Sequence, residues 1–351
     1  MKQELLPVWV GQTNGSKDVV ISSRIRLARN LKGISFPSFA DEKQLAKVNQ
    51  EVRRAVQAKS DLGLSEPLQM EELSPAERMV LVEKHLCSPQ FIEQPHLRML
   101  VFNREQTVSI MVNEEDHLRI QTITPGFSLE EALALANRVD DFLEETLDYC
   151  YDENYGYLTA CPTNVGTGIR ASVMLHLPGL AMVDQLKKIL PALTHIGINI
   201  RGFYGEGTES IGGIYQISNQ VTLGQSEEDL TNNLKSICRQ VIEQERSVRE
   251  ALYKESRLKL EDRLCRSYGV LANARIISSQ EALKLLSDVK LGSELGILPG
   301  VDNRTIMELV FLTRPSLLQK LIGKELSPEE RDIYRAQIIR ERLQRKNGGE
   351  F

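Results

Sequence analysis

The sequence lacks the features that mark secreted, membrane-spanning and nucleic-acid-binding proteins. Its five cysteines are scattered, odd in number and without metal-ligand spacing, which fits a reducing cytoplasm better than a disulfide framework. No apolar run approaches the length of a membrane span, and residues 1–4 begin no secretory signal. The net charge of -5 argues against the non-specific binding of nucleic acid that a basic domain shows. We therefore expect a cytoplasmic globular protein that contacts neither a membrane nor nucleic acid directly.

The composition allows more than one domain. With 351 residues, 41% of them apolar, the chain is long enough for two domains and a sizeable core. Residues 1–225 mix strand and helix patterns, whereas the pattern from Ser226 onward is helical. We predict one domain over residues 1–254, which ends in a linking helix, and a small all-helical domain over residues 255–351. A helical region of this size often buries one face against a second copy, which favours a homodimer.

Capping signals mark several helix boundaries. Ser74 and Ser128 are each followed three residues later by glutamate, which is the pattern of a capping box. Asp302 is expected to cap a later helix, which Pro315 interrupts or ends. Gly292 is expected to end the helix that precedes it.

An acidic segment follows a predicted strand. Residues 107–112 alternate in polarity, and residues 113–119 are Asn-Glu-Glu-Asp-His-Leu-Arg. A strand that ends in carboxylates beside an arginine can support acid–base chemistry on a charged substrate. The charge pattern alone is more typical of a solvated turn.

Another predicted strand, over residues 19–29, carries two arginines. Arg24 and Arg26 are two residues apart and therefore lie on one face of that strand. Two guanidinium groups that point the same way suit a polyphosphate, because each can bind phosphate oxygens bidentately. The alternative is a half-buried strand whose arginines face water.

Two glycine-containing loops also carry reactive or charged side chains. The first runs from Cys161 to Arg170 with glycines at 166 and 168, although a lone cysteine is more often a small buried apolar residue. The second, residues 201–213, begins with an arginine and contains two glutamates. It lacks P-loop spacing, so the alternative for this loop is an ordinary surface loop.

The last predicted helix carries a second arginine pair. Ser327, Pro328 and Glu330 form an N-terminal capping pattern. Arg331 and Arg335 then lie one turn apart on one face, a like-charge pair that an anion could bridge. The alternative is a solvated basic helix end.

Together these motifs resemble the phosphagen (guanidino) kinase family. Ser-Ser-Arg-x-Arg, Asn-Glu-Glu-Asp-His-Leu-Arg, Cys-Pro-Thr-Asn-x-Gly-Thr and Arg-Gly-x-x-Gly-Glu occur in that family's order, within residues 15–225. The Arg-Asp-x-x-Arg-Ala sequence at 331–336 is similar to a signature of the family's bacterial protein-arginine kinases. The resemblance implies an α+β fold in which a mainly antiparallel sheet flanked by helices precedes a small all-helical C-terminal domain.

The resemblance also implies roles for individual residues. Glu115 matches the catalytic base, Glu206 the second substrate-binding carboxylate and Cys161 the reactive cysteine beside the guanidinium. The five arginines that match the nucleotide-phosphate ligands are Arg24, Arg26, Arg119, Arg170 and Arg201. The remaining residues of the implied nucleotide site are Ser22, Ser23, Ile25, His85, Ala171, Ser172, Val173, Met174, Gly202, Phe203, Tyr204 and Gly205, together with Glu206.

Two positions depart from the family pattern. Met174 stands where kinases of small guanidino compounds usually have histidine, so we expect an apolar contact with adenine instead of a stacked one. Gly207 replaces the usual histidine after the glutamate, which puts the closing contacts of that loop in doubt.

The expected substrate is arginine within a protein. Kinases of small guanidino compounds carry a helical domain and a lid before the Ser-x-Arg-x-Arg strand, whereas only residues 1–21 precede Ser22 here. We therefore expect an open guanidinium pocket. ATP is the expected phosphoryl donor, with Mg²⁺ on its phosphates and no metal site built by the protein.

By resemblance, the phosphorylated proteins would be marked for a ClpC–ClpP protease, and a CtsR-like heat-shock repressor would be one target. A McsA-like zinc-binding protein would be an activator. Arg331, Asp332, Arg335 and Ala336 would bind phosphoarginine at an allosteric pocket. Two alternatives stay open: a kinase of free arginine or another small guanidino compound, and a non-catalytic adaptor that binds phosphoarginine.

Overall fold

The computed structural model describes residues 5–12, 18–57, 62–202 and 210–344. Ten strands are formed within these ranges: β1 (Val20–Arg29), β2 (Leu68–Gln69), β3 (Met99–Phe102), β4 (Val108–Val112), β5 (Leu118–Pro125), β6 (Tyr151–Asp152), β7 (Gly156–Tyr157), β8 (Ile169–His176), β9 (Ile198–Gly202) and β10 (Ile214–Asn219). Eight of them build one sheet in the order β2-β3-β4-β5-β1-β8-β10-β9, and each neighbouring pair is antiparallel. Strands β6 and β7 form a separate two-stranded hairpin.

Twelve α-helices lie within the same ranges. Those before the last strand are α1 (Glu42–Gln57), α2 (Pro75–Glu83), α3 (Pro89–Glu93), α4 (Leu129–Glu144), α5 (Pro178–Met182) and α6 (Leu186–His195). Those after it are α7 (Glu227–Glu255), α8 (Arg257–Asn273), α9 (Ser279–Glu294), α10 (Asn303–Leu312), α11 (Pro315–Ile322) and α12 (Pro328–Gln344). None of these helices is both long enough and apolar enough to span a membrane. The predicted fold class is confirmed, while the domain boundary between residues 254 and 255 stays a prediction.

The two faces of the sheet are covered differently. On one face, apolar side chains such as Ile25, Leu27 and Val173 join the main core with residues of α1, α4 and α7. The opposite face carries the arginines of β1, and we call it the arginine face. Alternation along each strand separates the two sets, because successive side chains point to opposite faces.

Helices from both ends of the chain cover parts of the arginine face. Leu100 and Met111 pack there with Phe91 of α3 and other residues near α2. At the other end, Ile123 and Met174 belong to a second core built mainly from α9 to α12. The space between these two covered regions remains for a site.

Several helix boundaries follow the sequence signals, whereas the one predicted at Gly292 does not. Ser74 forms the predicted capping box with Glu77, and Asp302 accepts a hydrogen bond from the Thr305 N–H at 2.8 Å. The helix start predicted at Ser128 is confirmed, since α4 begins at Leu129, but the predicted capping by the side chain is wrong, because the Ser128 hydroxyl donates to the Pro125 carbonyl.

Gly292 does not end a helix as predicted, because α9 continues to Glu294. Its lack of a side chain serves packing instead. A β-carbon at this position would lie 2.7 Å from a methyl carbon of Leu298, closer than atoms of a packed core approach.

Candidate active site

Five arginines from four strands lie on the arginine face. Arg26 of β1 is directly opposite Arg170 of β8, and Arg24 is opposite Ser172. On the other side of β1, Arg119 of β5 is opposite Ala28. Arg201 of β9 pairs with Gln216, which pairs with Met174 of β8 and so keeps the same face. The predicted shared face of Arg24 and Arg26 is confirmed.

These arginines meet in one cavity of about 500 Å³. Besides them, its wall includes residues of α2 and the segment after it, of β4, β5, β9 and β10, and one residue from the C-terminal helices. They are Met79, Val82, Glu83, His85, Cys87, Ser88, Pro89, Gln90, Met111, Gln121, Gly202, Gln216 and Arg314. The volume lies within the range typical of small-molecule sites.

The charges of this cavity repel one another. Burial, followed by the charges of Arg119 and Arg170, lowers the pKa of Arg24 to about 9. Burial and the neighbouring arginines also lower the pKa of Arg26 well below its ordinary value. The Nε atoms of Arg26 and Arg170 are buried and have no hydrogen-bond partner among the described residues. A bound anion with several oxygens would satisfy these donors and relieve the repulsion.

Protein groups hold Arg24 and Arg119 in place. Arg24 donates from Nη2 to the Gln216 Oε1 at 2.5 Å and from Nε to the Ser172 hydroxyl at 3.3 Å. Arg119 donates to Glu114 at 2.5 Å, and Glu114 also accepts from the Ser88 hydroxyl. Burial raises the pKa of Glu114, but Arg119 and Ser88 outweigh it, so the pKa is lowered and the carboxylate stays charged.

The acidic segment divides into structural and accessible side chains. His117 is fully buried: its Nδ1 accepts from the Leu31 N–H at 3.0 Å, and its Nε2 lies 2.9 Å from the Ser35 carbonyl. Glu115 is exposed, and none of the hydrogen bonds among the described residues uses its carboxylate. It does not line the cavity, but it is close enough to Arg119 and Arg170 to interact with their charges.

The electrostatic surroundings of Glu115 favour a role as proton acceptor. Burial of its carboxyl group and then the neighbouring Asp116 raise the pKa of Glu115 above the ordinary value, against the effect of Arg119. A raised pKa makes a carboxylate a stronger proton acceptor.

Cys161 lies near Arg170. Its Sγ is 3.0 Å from the Thr163 hydroxyl, and both Cys161 and Glu115 act electrostatically to raise the pKa of Arg170. The net pKa of Arg170 is nevertheless lowered, first by burial and then by Arg201. The loop that carries Cys161 approaches β1 closely at Gly168. There φ is +67°, and a β-carbon would be 2.7 Å from the Ala28 carbonyl oxygen.

The other residues predicted to bind the nucleotide separate into two groups. Ser22, Ser172 and Met174 surround a small recess next to Arg24. His85 borders both this recess and the main cavity, and its ring stacks on Trp9 at 5.6 Å between centroids. Burial, followed by the charges of Arg24 and Arg314, lowers the pKa of His85 to about 3, so the ring is neutral.

A second group of predicted residues does not present side chains to the cavity. Ile25, Ala171 and Val173 face the main core on the other side of the sheet. Ser23 is fully buried, and its hydroxyl donates to the Gly126 carbonyl. Predicted residues Phe203, Tyr204, Gly205 and Glu206, with Gly207, lie outside the described residues.

The predicted phosphoarginine-binding residues lie on α12, away from the cavity. Arg335 is 1% exposed and donates to the carbonyls of Thr313 and Ile277 and to Asp332. Ala336 is buried as well, while Arg331 is half-buried and donates to the Leu326 carbonyl at 3.1 Å. The two arginines therefore differ in exposure, although they are one turn apart.

Sequence reasoning missed several groups that shape the cavity, among them Gln216, Ser88 and Arg314. Gln216 accepts a hydrogen bond from Arg24, and Ser88 donates one to Glu114, which is the partner of Arg119. Both are ordinary polar residues, and no sequence pattern singles them out. Arg314 comes from the turn between α10 and α11, far along the chain from the other lining residues. Only the tertiary fold brings these groups together.

Profiles of two protein domains match the chain. Residues 47–248 match the C-terminal catalytic domain of ATP:guanido phosphotransferases. Residues 257–350 match the C-terminal domain of the protein-arginine kinase McsB.

Similar proteins agree with these profiles. The protein-arginine kinase of Bacillus subtilis is 49% identical over 99% of this chain and 96% of its own length. That of Moorella thermoacetica is 51% identical over 95% of this chain and 97% of its own length. Among solved structures, lombricine kinase is similar with a TM-score of 0.61 at 27% identity, covering 69% of this chain and 70% of that one. The duplicated taurocyamine kinase of Schistosoma mansoni gives 0.58 at 27% identity, over 76% of this chain and 38% of that one.

Proposed function

Because this chain belongs to the ATP:guanido phosphotransferase family, we propose that it transfers the γ-phosphoryl group of ATP to arginine side chains of proteins. The observation that carries the proposal is the cavity in which five arginines meet, with Glu115 beside two of them. The similar proteins from Bacillus and Moorella, named protein-arginine kinases, support a protein acceptor because the identity extends over nearly the whole chain.

In this proposal the arginine cluster binds the phosphates of ATP. The unpartnered Nε atoms of Arg26 and Arg170 suit such a ligand, because phosphate oxygens would complete their hydrogen bonding. Phosphoryl transfer requires mainly positioning and neutralisation of charge, and fixed guanidinium groups supply both. Mg²⁺ would arrive on the nucleotide, held by phosphate oxygens and water. Within the described ranges, no group of three or more His, Cys, Asp or Glu side chains is arranged to hold a metal ion.

Glu115 is the proposed proton acceptor. A free guanidinium group has a pKa above about 12, so one of its nitrogens must lose a proton as it attacks phosphorus. The nitrogen–phosphorus bond forms, the bond from the γ-phosphorus to the bridging oxygen breaks, ADP leaves and the proton passes to Glu115. Glu206 is proposed to hold the other side of the guanidinium, and Cys161, which lies near Arg170, is proposed to border the same pocket.

The wider role is also a proposal. Phosphoarginine would mark proteins for degradation by a ClpC–ClpP protease and would relieve repression by a CtsR-like protein, with a McsA-like activator. Arg331, Asp332, Arg335 and Ala336 would form the product-binding allosteric site, and α8 to α12 would form a homodimer contact. The exposed part of Arg331 and the 32% exposed side chain of Asp332 are the accessible polar groups of that segment.

The experiment that tests this proposal determines which molecule accepts the phosphoryl group. The protein is incubated with Mg²⁺, ATP and a denatured protein, and with free arginine in parallel, and the products are analysed at neutral pH by mass spectrometry. Neutral pH matters because acid breaks the phosphorus–nitrogen bond. We expect phosphoarginine in the protein. Phosphate found only on free arginine would overturn the proposed acceptor, and phosphate on neither would overturn the kinase activity.

A further inference from the structure

Among the described residues that follow β10, one side chain reaches the cavity of the five arginines. Arg314 lines the cavity together with the five arginines of the sheet. It lies within residues 257–350, outside the part of the chain that matches the phosphotransferase catalytic domain. We propose that Arg314 is a further nucleotide-binding residue, which contacts the base and ribose end of ATP. This inference rests on the proposed function only as far as ATP binding.

The backbone around Arg314 is fixed by its sequence. Pro315 occupies the first turn of α11, and a residue before proline is held in extended conformation. Arg314 accordingly has φ of -66° and ψ of 145° and stands between the end of α10 and the start of α11. Its side chain therefore leaves a sharp turn, not the middle of a helix.

Hydrogen bonds from two other elements hold this turn. On one side, Arg335 of α12 donates from Nε to the Thr313 carbonyl at 2.8 Å. On the other, the buried carboxylate of Glu83 accepts from the N–H groups of Ser316 at 3.0 Å and Leu317 at 2.7 Å. Since Glu83 also lines the cavity, the turn is attached directly to the cavity wall.

Arg314 lies where α2 and the segment after it form the cavity wall. The charges that lower the pKa of Arg24 after burial are those of Arg119 and Arg170. Arg314 acts on Glu83 and, together with Arg24, on His85, at the α2 side of the cavity. Arg314 thus adds a sixth guanidinium to the cavity, from the C-terminal part of the chain and at the side where α2 forms the wall.

The surroundings of Arg314 suit a purine better than a phosphate. The α2 side of the wall contributes the apolar side chains of Met79 and Val82. A planar guanidinium stacks on ring systems and donates to ring nitrogens and ribose hydroxyls, while apolar neighbours cover the rest of the ring. A nucleotide whose phosphates lie at the cluster would extend its base towards this side.

The experiment compares two ligands in direct binding. Calorimetry measures the Kd of Mg²⁺–ATP and of inorganic triphosphate for the full-length wild type and for Arg314→Ala, without an acceptor. We expect the Kd of ATP to rise about ten-fold, the order of a lost hydrogen bond to a charged group. The Kd of triphosphate should stay within about two-fold, because the cluster is intact.

Arg304→Ala is the matched control. Arg304 lies on α10, its side chain is 74% exposed and it pairs with Glu308, so both Kd values should stay at the wild-type level. If Arg314→Ala does not fold, Arg314→Gln replaces it in the experiment. That variant should likewise weaken the binding of ATP. An unchanged Kd for ATP would overturn the proposal, and so would an equal weakening of ATP and triphosphate, which would place Arg314 at the phosphates. Wild-type protein that does not bind ATP would refute the proposed function itself.

Discussion

The carboxylate of Asp116 accepts a hydrogen bond from the backbone N–H of Ala160, with 2.7 Å between Oδ1 and the nitrogen. The same oxygen accepts from the Asn30 side-chain amide at 2.7 Å. Asp116 follows the proposed base Glu115, and Ala160 precedes Cys161. One buried oxygen therefore connects three chain segments at the acceptor side of the cavity.

Removing this oxygen should misplace Glu115 relative to Cys161. We expect Asp116→Ala to lower kcat about ten-fold or more, because small displacements of reacting groups cost rate steeply. Asp116→Asn should keep most of the activity, since its amide oxygen can accept both hydrogen bonds. Steady-state kinetics with a protein substrate provides the test. Asp152→Ala is the control, because Asp152 accepts hydrogen bonds from the N–H groups of Asn154 and Tyr155 in the turn between β6 and β7. Equal kcat for Asp116→Ala and wild type would remove the positioning role.

Asp116 should also influence how kcat/KM depends on pH. The pKa of Glu115 is raised, so its base form, and with it kcat/KM, is lost as the pH falls through a value above the ordinary 4.5. The Asp116 charge contributes to that shift. Asp116→Asn should therefore move the acidic limb of the profile to lower pH. A limb that stays in place would show that Glu115 does not determine it.

Charge repulsion among the arginines should lower the free energy of unfolding of the protein without nucleotide. Arg26 is half-buried, its Nε is buried and has no partner among the described residues, and its pKa is lowered by burial and by like charges. Without nucleotide, Arg26→Met should unfold in urea with a free energy equal to or above that of wild type. Its kcat/KM should fall by about 10²- to 10³-fold, as for other electrostatic donors.

The control for this variant is Arg54→Ala, whose side chain is 64% exposed. It should change neither stability nor kcat/KM appreciably. A large loss of stability in Arg26→Met would mean that Arg26 serves the fold instead of an anion.

The cap on α11 gives a prediction about stability. Glu83 accepts from the first N–H groups of that helix and lies at its positive end. We expect Glu83→Ala to lower the free energy of unfolding by about 1–3 kcal/mol, because it leaves buried donors unpaired. Glu72→Ala, at an exposed position, should have no measurable effect in the same urea titration. Unchanged stability of Glu83→Ala would show that water replaces the carboxylate.

Local sequence signals predicted much of this molecule. The alternation around Arg24 and Arg26 gave the right strand and face, because the pleat depends only on neighbouring residues. The capping box at Ser74 is local in the same way. Gly292 was misjudged because its role depends on Leu298, and no local rule reports such packing.

The residues of the cavity also divide into those that local sequence signals predicted and those that only long-range contacts bring in. The arginines were found as motifs, whereas Arg314 and Gln216 enter through long-range contacts that a single sequence does not reveal. Within the acidic segment, charge alone did not separate the exposed Glu115 from the paired Glu114. That distinction arises from Ser88 and Arg119, which the fold brings to one of the two carboxylates and not to the other.

The central claim is that Glu115 accepts the proton of the attacking guanidinium. Its most direct test is single-turnover transfer of labelled phosphate from ATP to a denatured protein by Glu115→Gln, with the Kd of ATP measured on the same sample. The account predicts that transfer slows by at least about 10²-fold, while the Kd of ATP stays near that of wild type. Transfer at the wild-type rate by Glu115→Gln would contradict it.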